Sequence, residues 1–284
     1  MLSTWKSIAV FLDDADKEDE VLSYAARLAH QYDAHLIGIY SINSLPDQHT
    51  FSGYARGEAA IRSVIERRRS SGQEAASAMG ARLAAIAREH SVSVEFRVLW
   101  NTEDTANAAM HSLHCDLVVV AAPARQTGLP ESANAERILF ETGVPVLIVP
   151  EGWMSSEPVK NVMVAWNASK ESRRAVADAM PFIATAAEVT LVVVDAEAGR
   201  GNHGEEPGAD AVHALARHGA KVNVEQIVSD GRSVDQVLLE KATALGCDLV
   251  VIGAYSHART SQLIFGGVTR RLLATSTVPL FISR

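Results

Sequence analysis

The sequence predicts an α/β fold: two repeated, doubly wound domains, each a five-stranded parallel sheet flanked by helices. Three observations carry this prediction. The 284 residues are long enough for about two domains. Short apolar, β-branched runs alternate with helical patterns in both halves, as βαβ units require. The second half also repeats the first. His114-Cys115-Asp116-Leu117-Val118-Val119-Val120-Ala121-Ala122 returns 132 positions later as Gly246-Cys247-Asp248-Leu249-Val250-Val251-Ile252-Gly253-Ala254. Val144-Pro145-Val146-Leu147-Ile148 returns 134 positions later as Val278-Pro279-Leu280-Phe281-Ile282. Ile8 to Asp13 resembles Val162 to Asn167, 154 positions on. The shrinking offset places about 20 extra residues of the first half between Ser41 and Gly72.

The elements follow in order. The first half opens with strand Ser7–Asp13, an apolar run closed by Asp13-Asp14, then helix Lys17–Gln31 and strand His35–Ser41. A long helix over Gly57–His90 leads to strand Ser93–Leu99, helix Thr102–Leu113 and strand Asp116–Ala122. Helix Ser132–Glu141 and strand Val144–Val149 complete it. The second half reads as strand Asn161–Asn167, helix Lys170–Phe182 behind a Ser169 cap, and strand Glu188–Asp195. Helix Pro207–His218, strand Lys221–Val228, helix Ser233–Leu245, strand Asp248–Ala254, helix Leu263–Thr275 and strand Pro279–Ser283 follow. The two central runs are continuously apolar, as strands covered on both faces are. The polar stretch 151–157 separates a domain over 1–150 from one over 158–284.

Composition narrows the function. Acidic residues outnumber basic ones by 34 to 26, a net charge of -8, which argues against nucleic-acid binding. No apolar run approaches the length of a bilayer span, and the early run Ile8 to Leu12 ends in aspartates rather than in a signal sequence, so a cytoplasmic protein is expected. Two cysteines cannot form a disulfide scaffold. Their equivalent positions, Cys115 and Cys247, read as small buried side chains at the mouths of strands.

Doubly wound sheets bind ligands beyond the carboxyl ends of their strands, where strand order reverses. After the fourth strand of the second half comes Gly253, a polar loop with Ser256, His257 and Arg259, then Gly266, Gly267, Val268 and Thr269. Glycines allow close backbone approach to an anion, and hydroxyls add donors. This is not a Walker A loop, because Gly-Lys-Ser/Thr is missing.

These residues make the chain resemble a tandem universal stress protein, with both halves covered, roughly Lys6–Pro150 and Lys160–Arg284. The family pattern ends the first strand in aspartate and follows the fourth with Gly-x2-Gly-x9-Gly-Ser/Thr. Here Gly253 and Gly266 take the first and third glycines. Ser256 stands at the second, Gly267 at the Ser/Thr with Thr269 two residues on, and Asn167 replaces the aspartate. By resemblance, Asn167, Val193, Ile252, Gly253, Ser256, Gly266, Gly267, Val268 and Thr269 form a site for an adenine nucleotide, ATP or ADP, or another small ligand. The resemblance also implies that the apolar terminal strands Val144–Val149 and Val278–Ser283 pair the halves into a pseudo-dimer within one chain. Association of two chains into a homodimer is left open.

The first half keeps Asp13 but has no glycine loop. Its fourth strand runs through Ala121 into Pro123, which lacks a donor, so no nucleotide is expected there. Asp13, Asp14 and Asp16 read as a solvated turn. His111, His114, His203, His213, His218 and His257 read as surface residues, and Arg62 with Arg67–Arg69 as a solvated helix face. No nucleophile motif appears. A nucleotide-independent interaction module is the alternative reading, and an enzyme is disfavoured.

Overall fold

The computed structural model describes residues 4–12, 18–43, 58–101, 109–122, 135–153, 158–197, 204–254 and 267–284, with only the backbone at 18, 43, 58–69, 100 and 101. In the first half the order is β1 (Ser7–Leu12), α1 (Glu18–Gln31), β2 (His35–Asn43), α2 (Glu58–Glu89), β3 (Val94–Asn101), β4 (Leu117–Ala121), α3 (Ala135–Thr142) and β5 (Val146–Val149). The second half runs β6 (Asn161–Ala165), α4 (Lys170–Asp178), α5 (Met180–Ile183), β7 (Glu188–Val194) and α6 (Ala209–Arg217). It continues through β8 (Val222–Ile227), α7 (Val234–Ala244), β9 (Leu249–Gly253), α8 (Gly267–Thr275) and β10 (Leu280–Ser283).

The two five-stranded halves form one ten-stranded sheet, ordered β3-β2-β1-β4-β5-β10-β9-β6-β7-β8. Within each half all pairs are parallel. The halves meet where β10 runs antiparallel to β5, with Phe281 opposite Leu147. Each terminal strand thereby satisfies the other's edge. The register repeats: Ile8 pairs with Leu117 in one half, and Val162 with Leu249 in the other. The extra length of the first half lies in α2, with 32 residues against nine in α6.

Two apolar layers flank the sheet, each running through both halves. One lies under α1, α4, α5 and α6. At its centre Trp5 of the first half meets Phe182 and Phe281 of the second, with ring centroids 4.7 and 6.2 Å apart. Tyr32 packs edge-on to Trp5 at 4.8 Å, and its hydroxyl donates to the Pro181 carbonyl at 3.2 Å. The other layer lies under α3, α7 and α8. Among the described residues no helix is long and apolar enough to cross a membrane.

Two expected helices differ. The helix expected over Lys170–Phe182 is broken at Ala179, where α4 ends and α5 begins. Pro181 has no N–H for the bond that a continuous helix needs and favours the start of a new turn. Of the helix expected over Thr102–Leu113, the described residues form only a 3₁₀ turn over Ala109–Ser112, tied by the Ser112 hydroxyl donating to the Ala109 carbonyl at 2.6 Å.

Candidate functional site

In the second half, strand order reverses between β6 and β9. From β6 the chain crosses to β7 and β8 on one side, then returns to β9 and β10 on the other. The pairing register brings Ile282, Ile252, Ala165 and Val192 into one row across β10, β9, β6 and β7. The residues just beyond that row line the crevice: Gly253 at the end of β9, Asn167 after β6, and Asp195 after β7.

Asn167 is exposed, and its amide oxygen is committed to the start of α4. It accepts from the Ser169 hydroxyl at 2.7 Å and the Ser169 N–H at 3.3 Å. Ser169 in turn caps the helix. Its hydroxyl accepts from the Ser172 N–H at 3.1 Å, and the Ser172 hydroxyl accepts from the Ser169 N–H at 3.1 Å. The side chain that replaces the expected aspartate therefore orients a helix N-terminus at the crevice without adding charge.

Gly253 explains how close that helix comes. A Cβ at this position would lie 2.3 Å from the Ser172 nitrogen and 2.4 Å from the Glu171 carbonyl carbon. Only a residue without a side chain lets the end of β9 lie under the first turn of α4. Three strand ends here also carry backbone strain. Ala168, Asp195 and Asp230, following β6, β7 and β8, have φ of +53°, +52° and +50°. Such residues are tolerated where surrounding contacts hold them, often in ligand sites. The Asp195 carboxylate accepts from the Ser229 N–H at 2.8 Å, which ties the β7 and β8 ends together and lowers its pKa.

The other expected residues are distributed as follows. Val193 is buried toward α6, against the position that Gly208 keeps clear, whereas Ile252 is buried in the opposite layer with α7 and α8. Their side chains thus face opposite sides of the sheet, and only their backbone edges share the crevice. Gly267 opens α8, exposed, with nothing within 4 Å of a Cβ, so sterics do not require glycine there. Val268 is half-buried against the α7 and α8 layer, and Thr269 is buried. Ser256, Gly266 and His257 lie outside the described residues, as do Asp13, Asp14, Asp16, Pro123 and His203.

The sequence profile of the family described as the universal stress protein family matches residues 4–150 and again 158–284. The chain belongs to the universal stress protein family. It is 24% identical over 160 residues to a universal stress protein of Synechocystis, 54% of this chain and 51% of that protein, so the chain spans about half the length of this curated relative. Among solved structures it resembles a universal stress protein from Archaeoglobus fulgidus, with a TM-score of 0.71, 16% identity and coverage of 98% of this chain and 96% of that one. A functionally unknown protein from Pseudomonas aeruginosa PAO1 matches with a TM-score of 0.58 and 16% identity over 99% and 93% of the two chains. At these identities the structural likeness concerns the fold.

As a tandem universal stress protein, the chain has two copies of the same edge, and they differ. Ala121 occupies the place of Gly253, so the first half carries a side chain where the second brings β9 against a helix. Other repeated residues prove to be structural. Asp116 accepts from the Lys6 and Ser7 N–H groups at 2.7 and 3.0 Å, and Asp248 from those of Lys160 and Asn161, both at 2.9 Å. These aspartates fasten the start of the first strand in each half, at the end of the sheet away from the crevice. The only sequence signal for that role is their repetition. Burial raises the pKa of both Cys115 and Cys247 to about 11, which keeps the thiols protonated at neutral pH. His111, His114, His213 and His218 are exposed. Among the described residues no three His, Cys, Asp or Glu side chains are grouped to hold a metal ion.

Proposed function

We propose that this universal stress protein is a non-catalytic, cytoplasmic stress-response regulator that binds an adenine nucleotide, ATP or ADP, in the crevice of its second half. The domain over 1–150 then serves as structure and interface, 151–157 as linker, and the domain over 158–284 as the ligand-binding unit. The observation that carries this reading is the contact of Gly253 with the first turn of α4. It supports the reading because a helix N-terminus capped through Ser169, beside the Asn167 amide, then lies against the end of β9 where strand order reverses. Asn167 can donate and accept at a base edge. The loop from Tyr255 to Gly266 supplies the remaining donors in this reading.

Titration with ATP, ADP and AMP tests it, with Gly266→Asp as the disabling variant. Saturable binding that this variant abolishes is expected. No binding by the parent protein at millimolar nucleotide would overturn the proposal and favour a nucleotide-independent interaction module. A homodimer would need edges other than β5 and β10, because their mutual pairing consumes both.

A further inference from the structure

The seam between the halves holds a second feature, on the other side of the first turn of α4 from Gly253. An open groove of about 490 Å³ lies where α3 of the first half, α4 of the second and the end of β10 converge. Phe140 forms one wall; Lys170, Glu171, Arg173 and Arg174 form the other; Arg284 closes it. Four cationic side chains thus meet in a protein whose net charge is -8.

Lys170 and Arg174 each have a carboxylate partner within the chain. Arg174 Nε lies 2.7 Å from the Asp178 carboxylate, which also accepts from the Ser283 hydroxyl at 2.5 Å. Lys170 stands 3.7 Å from the buried Glu171, with its own side chain 91% exposed. Arg173 is exposed and has no ion pair among the described residues. The Arg284 guanidinium lies over the Phe140 ring of the first half, 4.1 Å from its centroid.

Helix energetics do not account for the cluster. Lys170, Arg173 and Arg174 sit at the start of α4, the end of a helix that disfavours cations. Repulsion among three like charges adds to that cost. Arg284 can complement the C-terminal carbonyls of α3, but the three residues on α4 have no such use. A bound anion would offset both penalties, and planar guanidiniums suit phosphate oxygens.

We infer that this groove is a binding site for a phosphate chain, held between the two halves by Arg173 and Arg174 on one side and Arg284 on the other. The phosphate belongs either to a free oligophosphate or to a nucleotide whose base occupies the neighbouring crevice. Only the second source rests on the function proposed above.

Calorimetric titration of the full chain with tripolyphosphate, without nucleotide, tests the site. Saturable binding with one ligand per chain is expected. Arg173→Ala and Arg284→Ala should each weaken it about tenfold, the loss of one charge-assisted contact, whereas Arg217→Ala on the exposed side of α6 should leave it unchanged. Arg173 is exposed and has no ion pair among the described residues, so its variant should keep the fold. Competition by ATP, with Arg173→Ala weakening ATP but not adenosine, would identify a nucleotide tail; unchanged tripolyphosphate binding at saturating ATP would identify a separate oligophosphate. Absence of saturable tripolyphosphate binding, or equal losses in the Arg173 and Arg217 variants, would overturn the inference. Because this titration contains no adenine, its failure is distinguishable from failure of the crevice to bind nucleotide.

Discussion

Replacing Gly253 by alanine perturbs the contact on which the crevice depends. The new Cβ would lie 2.3 Å from the Ser172 nitrogen, 2.4 Å from the Glu171 carbonyl carbon and 2.7 Å from the Glu171 oxygen. All three are backbone atoms in the first turn of a helix, so no rotamer change relieves the clash. Reaching ordinary contact requires a separation of about 1 Å between β9 and α4. That helix is held by the Ser169 cap and, farther along, by Asp178 accepting from Ser283. Overpacking costs about 1–3 kcal/mol, and loosening the cap adds about 1 kcal/mol. A total of about 2–4 kcal/mol lowers the melting temperature of the second half by about 5–15 °C. Thermal unfolding followed by circular dichroism measures this, with two controls. Gly267→Ala meets nothing within 4 Å and should be neutral or stabilising by up to about 1 kcal/mol. Ala121→Gly should cost only about 0.5–1 kcal/mol. A Gly253→Ala protein that melts with the parent would refute the claim that β9 is seated against α4.

Three further outcomes follow from the same structure. Asp248→Ala removes the shared acceptor of two backbone N–H groups and should destabilise the second half by about 1–3 kcal/mol in urea unfolding; Asp116→Ala should do the same in the first half. Phe182→Ala deletes a buried ring touching Trp5, Tyr32 and Phe281, and should cost about 3–5 kcal/mol. It should also split a single unfolding transition into two, read by calorimetry, as the halves lose a shared contact. Burial raises both thiol pKa values from the ordinary 9.0 to about 11, so folding favours the protonated form. Their contribution to stability is complete below pH 9 and is lost as pH rises toward 11; Cys115→Ala/Cys247→Ala should flatten that decline in denaturant titrations.

Much of the fold was legible because the repeat fixes equivalent positions and the apolar runs are long. The pairing of Ile8 with Leu117 and of Val162 with Leu249 is the physical form of that repetition. The break at Ala179 had a visible signal in Pro181, which the strong helical pattern around it masked. The role of Gly253 was only half legible. Its place in a glycine pattern marks a close approach, but the partner is the α4 backbone, 81 positions earlier, and no local pattern links them. Asn167 read as a substitution at a base edge, and its bond to Ser169 emerges only once the turn is formed. The seam groove was invisible, because Phe140, Arg173 and Arg284 come from distant segments that converge only when β10 pairs with β5.

The central claim is that the two copies have unequal duties, with the second holding the nucleotide. Photo-crosslinking of the full chain with azido-ATP, followed by peptide mapping, tests it most directly. The account predicts label in peptides spanning Glu188–Asp195 or Asp248–Thr275, competed away by unmodified ATP and absent from Gly266→Asp. Competed label confined to peptides from Ser7 to Pro150 would contradict it.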